Sequence, residues 1–495
     1  MKENSVAVLM PVASLVGGDG IGDFGESSRN FVDQLAAIGV QYWQVLPLGL
    51  LDQYGCPYAS PSAFGLEPLL IDQSILNENT DQKQQTPQTE RINYAQLALT
   101  KRRKLNEMAQ NKIKDPQVLL ELKEFERQKF WIKDLTCFLA LSEKFGRYWT
   151  KWPSAYKNYD HAMKFVENEL HNQYLRELYL QKVALEQWQS LKKYASDKGV
   201  QIIGDLPIFV SIESFDSWRW GEIFKRERES GLPMVITGAP PDPFSENGQL
   251  WGTLNYQWQK ETQKVLWWWS ERMKDSLELY DLVRIDHFIG LYHVWESGPL
   301  ALDAREGGWV KSEGEQLLEM LQNQYPDMPF IAEDLGALSD EVRTLRQKFN
   351  LPSMKVFQFA IDENKTNEHL PEMVPKHSIY YSATHDNNTL IGWLSELLSD
   401  SDKRNQLASR LNMDLSILNL ESASDRIHEV ILASKANCCV FQLQDIMKLD
   451  ACSRINVPGT LGDNWNWKMS ATNWNPKLWH EFAEKLKTHS RSAKG

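Results

Sequence analysis

Eight short apolar runs, spread along the chain and each closed by polar, charged or turn residues, constrain this sequence more than any other feature. They are "VAVLMP" (6–11), "QYWQVLPLG" (41–49), "VQIIGDLPI" (200–208), "DLVRID" (281–286), "MPFIAED" (328–334), "MKVFQFA" (354–360), "SIYYSATHD" (378–386) and "CCVFQLQD" (438–445). Runs of this length without strict alternation read as strands buried on both faces, and the helical patterns between most of them mark βα units. Eight such units predict an α/β fold, a (β/α)8 TIM barrel. Two intervals exceed a single crossover helix. Residues 75–195, rich in Gln, Lys, Glu and Leu, read as a helical insertion, and 210–280 as a loop-and-helix insertion over the barrel mouth. No linker or repeat forces a split, so 1–495 is expected to form one barrel domain.

Barrels of this kind do their chemistry at the C-terminal ends of the strands. Those ends are charged here: Asp205 closes the third run, Arg284 and Asp286 the fourth, Glu333 and Asp334 the fifth, His385 and Asp386 the seventh. Residues two apart on a strand share a face, so Arg284 and Asp286 both point to the barrel axis while Val283 and Ile285 face the helices. One strand thus supplies an acid and its counter-ion.

Charge and composition exclude several functions. A net charge of −12 and a pI near 5.5 argue against a nucleic-acid partner, which requires a basic face. Five cysteines in no CxxC pair suggest a reducing cytoplasm and no disulfide framework. The N-terminus lacks a signal-like apolar core, and no stretch approaches the ~18 apolar residues of a membrane span. No HExxH, Cys/His cluster or EF-hand spacing is present, so neither metal nor cofactor is expected. "GDGIGDFG" does contain GxGxxG at Gly20, Gly22 and Gly25, which raises a dinucleotide-dependent oxidoreductase as an alternative. Asp23 would face the pyrophosphate in such a site, and the second run ends at Leu46 and Pro47 without a ribose-binding acid.

Nine segments in order carry a resemblance: "SLVGGDGIGDFG" (14–25), "WQVLPLG" (43–49), "GDLPIFV" (204–210), "PPDPFSENGQLWG" (240–252), "VRIDHF" (283–288), "IAEDLG" (331–336), "LPSMKVFQFA" (351–360), "THDNNTLIGW" (384–393) and "RINVPGT" (454–460). The chain resembles, from end to end, the 4-α-glucanotransferases of glycoside hydrolase family 77 in the α-amylase clan. The resemblance implies transfer of an α-1,4-glucan segment from a maltooligosaccharide or starch donor to the 4-hydroxyl of an acceptor glucan or glucose. Retaining cleavage of that bond uses two carboxylates ~5 Å apart, one as nucleophile and one as acid then base. By similarity Asp286 is the nucleophile, Glu333 the acid/base and Asp386 the third carboxylate, holding sugar hydroxyls. Arg284 is expected to keep Asp286 ionised, and neighbouring negative charge to raise the pKa of Glu333. Asp205 is expected to orient Arg284; His287 and His385 to donate to the sugar; Tyr58, Trp251, Tyr256, Trp258, Phe244 and Asn456 to line the substrate site. A hydrolase on the same scaffold remains the alternative, because water and a sugar hydroxyl attack the same intermediate. The sequence departs from the family at Cys56, Glu67, Pro243 and Ile289, which bears on chain-length preference and acceptor contacts.

Overall fold

Each of the eight runs overlaps a strand of the computed structural model, which describes residues 1–17, 19–74, 90–241, 245–336, 338–362, 364 and 366–492. The strands are β1 (Ser5–Leu9), β2 (Tyr42–Gln44), β3 (Gln201–Leu206), β4 (Leu282–Ile285), β5 (Phe330–Ala332), β6 (Ser353–Val356), β7 (Ser378–Tyr381) and β8 (Cys438–Gln442). They lie in the order β5-β4-β3-β2-β1-β8-β7-β6, every hydrogen-bonded pair parallel. Sequential parallel neighbours coming full circle make the expected (β/α)8 barrel.

The lack of alternation in the runs follows from their burial. Val6, Ala7, Val8 and Leu9 are all fully buried, as are Val283, Ile285, Tyr380 and Tyr381. Apolar side chains fill both the helix-facing layer and the lumen, and the few lumen polar groups pair with each other, as when the Tyr381 hydroxyl donates to Gln44 Oε1 at 3.0 Å. Gly204 in β3 is required by close approach: a Cβ there would sit 2.1 Å from the Tyr280 ring.

Closure is completed by a side chain. β5 and β6 touch but form no ladder among the described residues. Asp334, two residues beyond β5, bridges the gap by accepting the Met354 amide of β6 at 2.7 Å, and the same carboxylate lies 3.0 Å from Arg346 Nε.

Between β2 and β3 the chain runs through helices Lys101–Lys112, Pro116–Gln128, Ile132–Phe145, Tyr159–Glu169 and His171–Asp197. The last is fastened to the loop after β2 by two amide side chains. Gln181 exchanges bonds with the Leu66 main chain at 2.9 and 2.8 Å, and Gln187 does the same with Asp72 at 2.8 and 3.0 Å. Segments before and after β4 build a small antiparallel sheet from Ile236–Ala239, Gln249–Leu250, His293–Ser297 and Gly308–Lys311. Trp251 hangs from its edge, its amide donating to Thr237 O at 3.0 Å.

The nucleotide-binding alternative fails on this architecture. The sheet is a sequentially ordered barrel rather than a doubly wound one. Asp23 accepts the Gly25 amide at 2.9 Å and the Ser27 hydroxyl at 3.0 Å, so its carboxylate occupies the start of helix Glu26–Ile38 where a pyrophosphate would bind.

Candidate active site

Asp286 and Glu333 each stand one residue beyond the last paired residues of β4 and β5, Ile285 and Ala332. Main-chain bonds continue the pairing past the strands: Glu333 N donates to Ile285 O at 3.1 Å and Phe288 N to Glu333 O at 3.0 Å. The two carboxylates therefore leave neighbouring strand ends, which parallel pairing holds about 4.8 Å apart.

Behind them lies a buried ion cluster. Arg284 Nη1 donates to both Asp205 oxygens at 2.7 Å and to Asp286 Oδ1 at 2.9 Å. Arg284 and Asp205 are almost fully buried, whereas the Asp286 side chain keeps 27 % of its surface open. Tyr58 donates to Asp205 Oδ2 at 2.8 Å, completing the carboxylate's shell.

Glu333 is gripped by main chain: His287 N donates to Oε2 at 2.6 Å and Leu335 N to Oε1 at 3.0 Å. His287 has left-handed backbone angles, φ 51° and ψ 53°. That conformation is costly for a non-glycine residue and turns the chain just past the strand end. Its ring meets Trp251 edge-on, centroids 4.7 Å apart, and its buried Nε2 has no partner among the described residues. Burial, with a smaller push from His293, lowers the His287 pKa to about 4, so the ring is neutral and free to donate or accept one bond.

Burial raises the Glu333 pKa to about 8; Arg284 opposes the shift and Asp286 adds to it. Asp286 is also raised, to about 6, by burial, with Arg284 opposing and Asp205 adding. Arg284 draws the Asp286 pKa down as a counter-ion does, but burial outweighs it and the negative charge of Asp205 adds to the rise. The order of the pair survives, and at neutral pH one group is a carboxylate and the other an acid.

Asp386 forms the opposite wall. Its side chain is 45 % exposed, lies 3.5 Å from His385 Nε2, and accepts Asn456 Nδ2 at 2.6 Å. Arg454 donates to the Asp386 carbonyl at 2.5 Å. The His385 ring stacks on Tyr58 at 5.1 Å, and Trp465 packs against both at 5.8 and 5.4 Å. Thus Asp205, Arg284, Asp286, His287, Glu333, His385, Asp386, Asn456, Tyr58 and Trp251 are linked in one network or contact chain.

Two expected sugar contacts belong elsewhere. Tyr256 and Trp258 are 1 % and 2 % exposed, and the Tyr256 hydroxyl is spent on Ile208 O at 2.5 Å. Tyr256 packs among Phe224, Trp258, Trp268 and Trp269. Neither residue offers a ring face to a ligand; they support the segment after β3 from behind. Phe244 and Pro243 lie outside the described residues. Glu67 has a local task, capping the turn Pro68–Leu70 through the Leu69 amide and accepting the Leu51 amide, each at 3.0 Å. Ile289 is buried, and burial pushes the Cys56 thiol up to about 12.

Sequence reasoning missed Trp465 and Arg454. Trp465 sits in "DNWNWK" (463–468) beside a second tryptophan, Trp467, that is buried, and nothing local separates the one from the other. Arg454 opens "RINVPGT", and only its contact across 68 residues gives it meaning. No helix is long and apolar enough to cross a membrane, and no cluster of metal-ligand side chains occurs, among the described residues.

The profile of glycoside hydrolase family 77, described as 4-alpha-glucanotransferase, matches residues 10–473. The chain belongs to the 4-alpha-glucanotransferase family. A 4-alpha-glucanotransferase of Aquifex aeolicus is 34 % identical over 483 residues, covering 97 % of each chain. That of Thermus thermophilus is 35 % identical over 472 residues, covering 93 % of this chain and 94 % of its own. Among solved structures, an amylomaltase from Streptococcus agalactiae in complex with acarbose superposes with a TM-score of 0.91 at 28 % identity, over 99 % of this chain and all of that one. As a glucanotransferase, the chain needs a cleft that both breaks and remakes a glycosidic bond, and the two carboxylates in opposite protonation states are suited to that.

Proposed function

We propose that this glucanotransferase works by double displacement on α-1,4-glucans, with Asp286 as nucleophile and Glu333 as acid/base. The observation that carries the reading is the pair itself: two carboxylates on adjacent strand ends, with Glu333 held the more basic. In the first step Asp286 attacks the anomeric carbon while Glu333 gives its proton to the leaving 4-oxygen. In the second, ionised Glu333 takes the proton of an incoming 4-hydroxyl as that oxygen displaces Asp286. Positive charge develops on the sugar ring in the transition state of each step, and Asp286 and Asp386 stabilise it.

The remaining roles follow from position. Arg284 and Asp205 hold the nucleophile; His287, neutral, and His385 offer ring nitrogens to sugar hydroxyls; Trp251 and Tyr58 border the cleft; Asn456 fixes Asp386. The chain acts as one catalytic domain whose two insertions border the cleft, takes linear glucans as donors and glucan or glucose as acceptors, uses no cofactor, and works in the cytoplasm, where its unpaired cysteines stay reduced.

Incubation with maltotriose alone tests the reading. Transfer produces glucose together with oligomers longer than maltotriose. Accumulation of only glucose and maltose would identify a hydrolase and overturn it.

A further inference from the structure

Asp445 is a fully buried carboxylate to which the reaction described above gives no part. It lies in the turn Leu443–Ile446, directly after β8, and no ion pair reaches it among the described residues. Its two oxygens serve the ends of one neighbouring segment. Oδ2 accepts the Ser382 hydroxyl at 2.6 Å, and Oδ1 accepts the Leu390 amide at 2.7 Å. Ser382 is the first residue after β7, and Leu390 the first of helix Leu390–Leu398. Between them lie His385 and Asp386.

The rest of the segment is tied internally or from the side. Asn387 Oδ1 accepts both the amide and the hydroxyl of Thr384 at 2.8 Å, and Gln358 Nε2 donates to Asn388 O at 2.8 Å. Neither bond fixes the loop's ends to the barrel: at one end the Ser382 amide donates to Val440 O of β8 at 3.0 Å, with Asp445 holding the Ser382 hydroxyl as well, and at the other Asp445 holds the Leu390 amide. Burying a carboxylate with two neutral donors and no cation is a costly way to fill a core, and burial lifts its pKa to about 6. Two acceptor oxygens in fixed directions are what the place requires.

We propose that Asp445 is a positioning residue for glucan transfer: by bonding the Ser382 hydroxyl and the Leu390 amide at the two ends of segment 382–390 it sets where Asp386 meets the sugar. The inference rests on the reading of Asp386 as a sugar-holding carboxylate. It separates charge from geometry, because asparagine can replace the clamp. In Asp445→Asn the Oδ1 accepts the Leu390 amide, and Nδ2 donates to Ser382 Oγ, whose hydroxyl turns away. Alanine frees the Leu390 amide and the Ser382 hydroxyl and leaves Ser382 held by its main chain alone.

The test measures kcat and KM on maltotriose for the full chain, with thermal unfolding to report the folded fraction. Asp445→Ala is expected to lose about tenfold to a hundredfold in kcat, with KM moving less, and Asp445→Asn to stay within about threefold of the parent. In an Asp386→Ala background, assayed with an α-maltosyl fluoride donor, Asp445→Ala should cost less than about threefold, because the group it positions is gone. A kcat for folded Asp445→Ala close to the parent's, or its full penalty persisting without Asp386, overturns the proposal. Should Asp445→Ala fail to fold, Ser382→Ala removes one of the two bonds to Asp445 and carries the same test, with a kcat loss of about threefold to tenfold that likewise vanishes in the Asp386→Ala background. An unchanged kcat for Ser382→Ala overturns the proposal too. If Asp386→Ala alone keeps the parent's activity, the reading beneath the inference fails, and the inference with it.

Discussion

The wall of the cleft that carries Asp286 and Glu333 and the wall that carries Asp386 are held by different means. The first is an extension of the barrel ladder: main-chain bonds run past β4 and β5 to Asp286, Phe288 and Glu333, with a buried Arg284–Asp205 pair behind. The second is a loop, fixed by side chains from distant parts of the chain, Asn456 and Asp445 among them, and it leaves the Asp386 carboxylate nearly half exposed. Groups that make and break bonds need a separation held to a fraction of an ångström, and periodic main-chain pairing supplies it. A group that grips hydroxyls must let chains of varying length enter and leave, and a loop suits that task.

The contrast is broken most severely on the ladder side. Asp286→Asn is expected to lower kcat by at least about a thousandfold, ~4 kcal/mol at the transition state, with unfolding temperature little changed. A folded mutant of near-normal rate would remove Asp286 from the nucleophile role. Glu333→Gln should lose nearly as much on maltotriose yet still react with an α-glucosyl fluoride, whose leaving group needs no proton. Mass spectrometry should then find a glucosyl adduct on Asp286, released by azide as the α-azide. An adduct on another residue, or a β-azide, contradicts the mechanism.

Next in size comes the support behind the nucleophile. Asp205→Asn should cost about tenfold to a hundredfold in kcat/KM, because Arg284 loses the partner that aims it. It also makes a pH statement. The proposed mechanism needs Asp286 ionised and Glu333 protonated, so the parent's kcat/KM should fall below about pH 6 and again above about pH 8. Asp205 raises Asp286, so removing its charge should move the acid limb to lower pH. An acid limb that stays put would show that Asp205 acts on geometry alone. Smallest is the loop side: Asn456→Ala deletes one hydrogen bond to Asp386 and should cost about threefold to tenfold, ~1 kcal/mol. A loss as large as that of Asp286→Asn would mean that the loop wall is as demanding as the ladder wall.

The same difference decides what could be read from the sequence. Strand ends are legible because burial on both faces writes an unbroken apolar run, and the charged residues that close it mark the mouth of the barrel, as Asp205, Asp286, Glu333 and Asp386 do. The loop wall is assembled from residues far apart in the chain, such as Asp386 with Asn456 and Ser382 with Asp445, and no local pattern records those pairings. Aromatic residues mislead for a related reason. Tyr256 and Trp258 lie near matched motifs, but which way a ring faces depends on the packing of helix Thr262–Leu279, whose Trp268 and Trp269 pack on Tyr256, with Trp258 against Tyr256 in turn.

Asp334 joins β5 to β6 with one carboxylate where the other neighbours share a ladder. Mechanically, the barrel is a single ribbon wound once around and buttoned, with its two selvedges meeting beside Glu333. A cut in the loop after the button would yield a larger piece bearing Asp286 and Glu333 and a smaller one bearing Asp386, which share the long β1–β8 ladder as their mating surface. The seam thus marks where two gene segments could be expressed apart and rejoined without severing a strand.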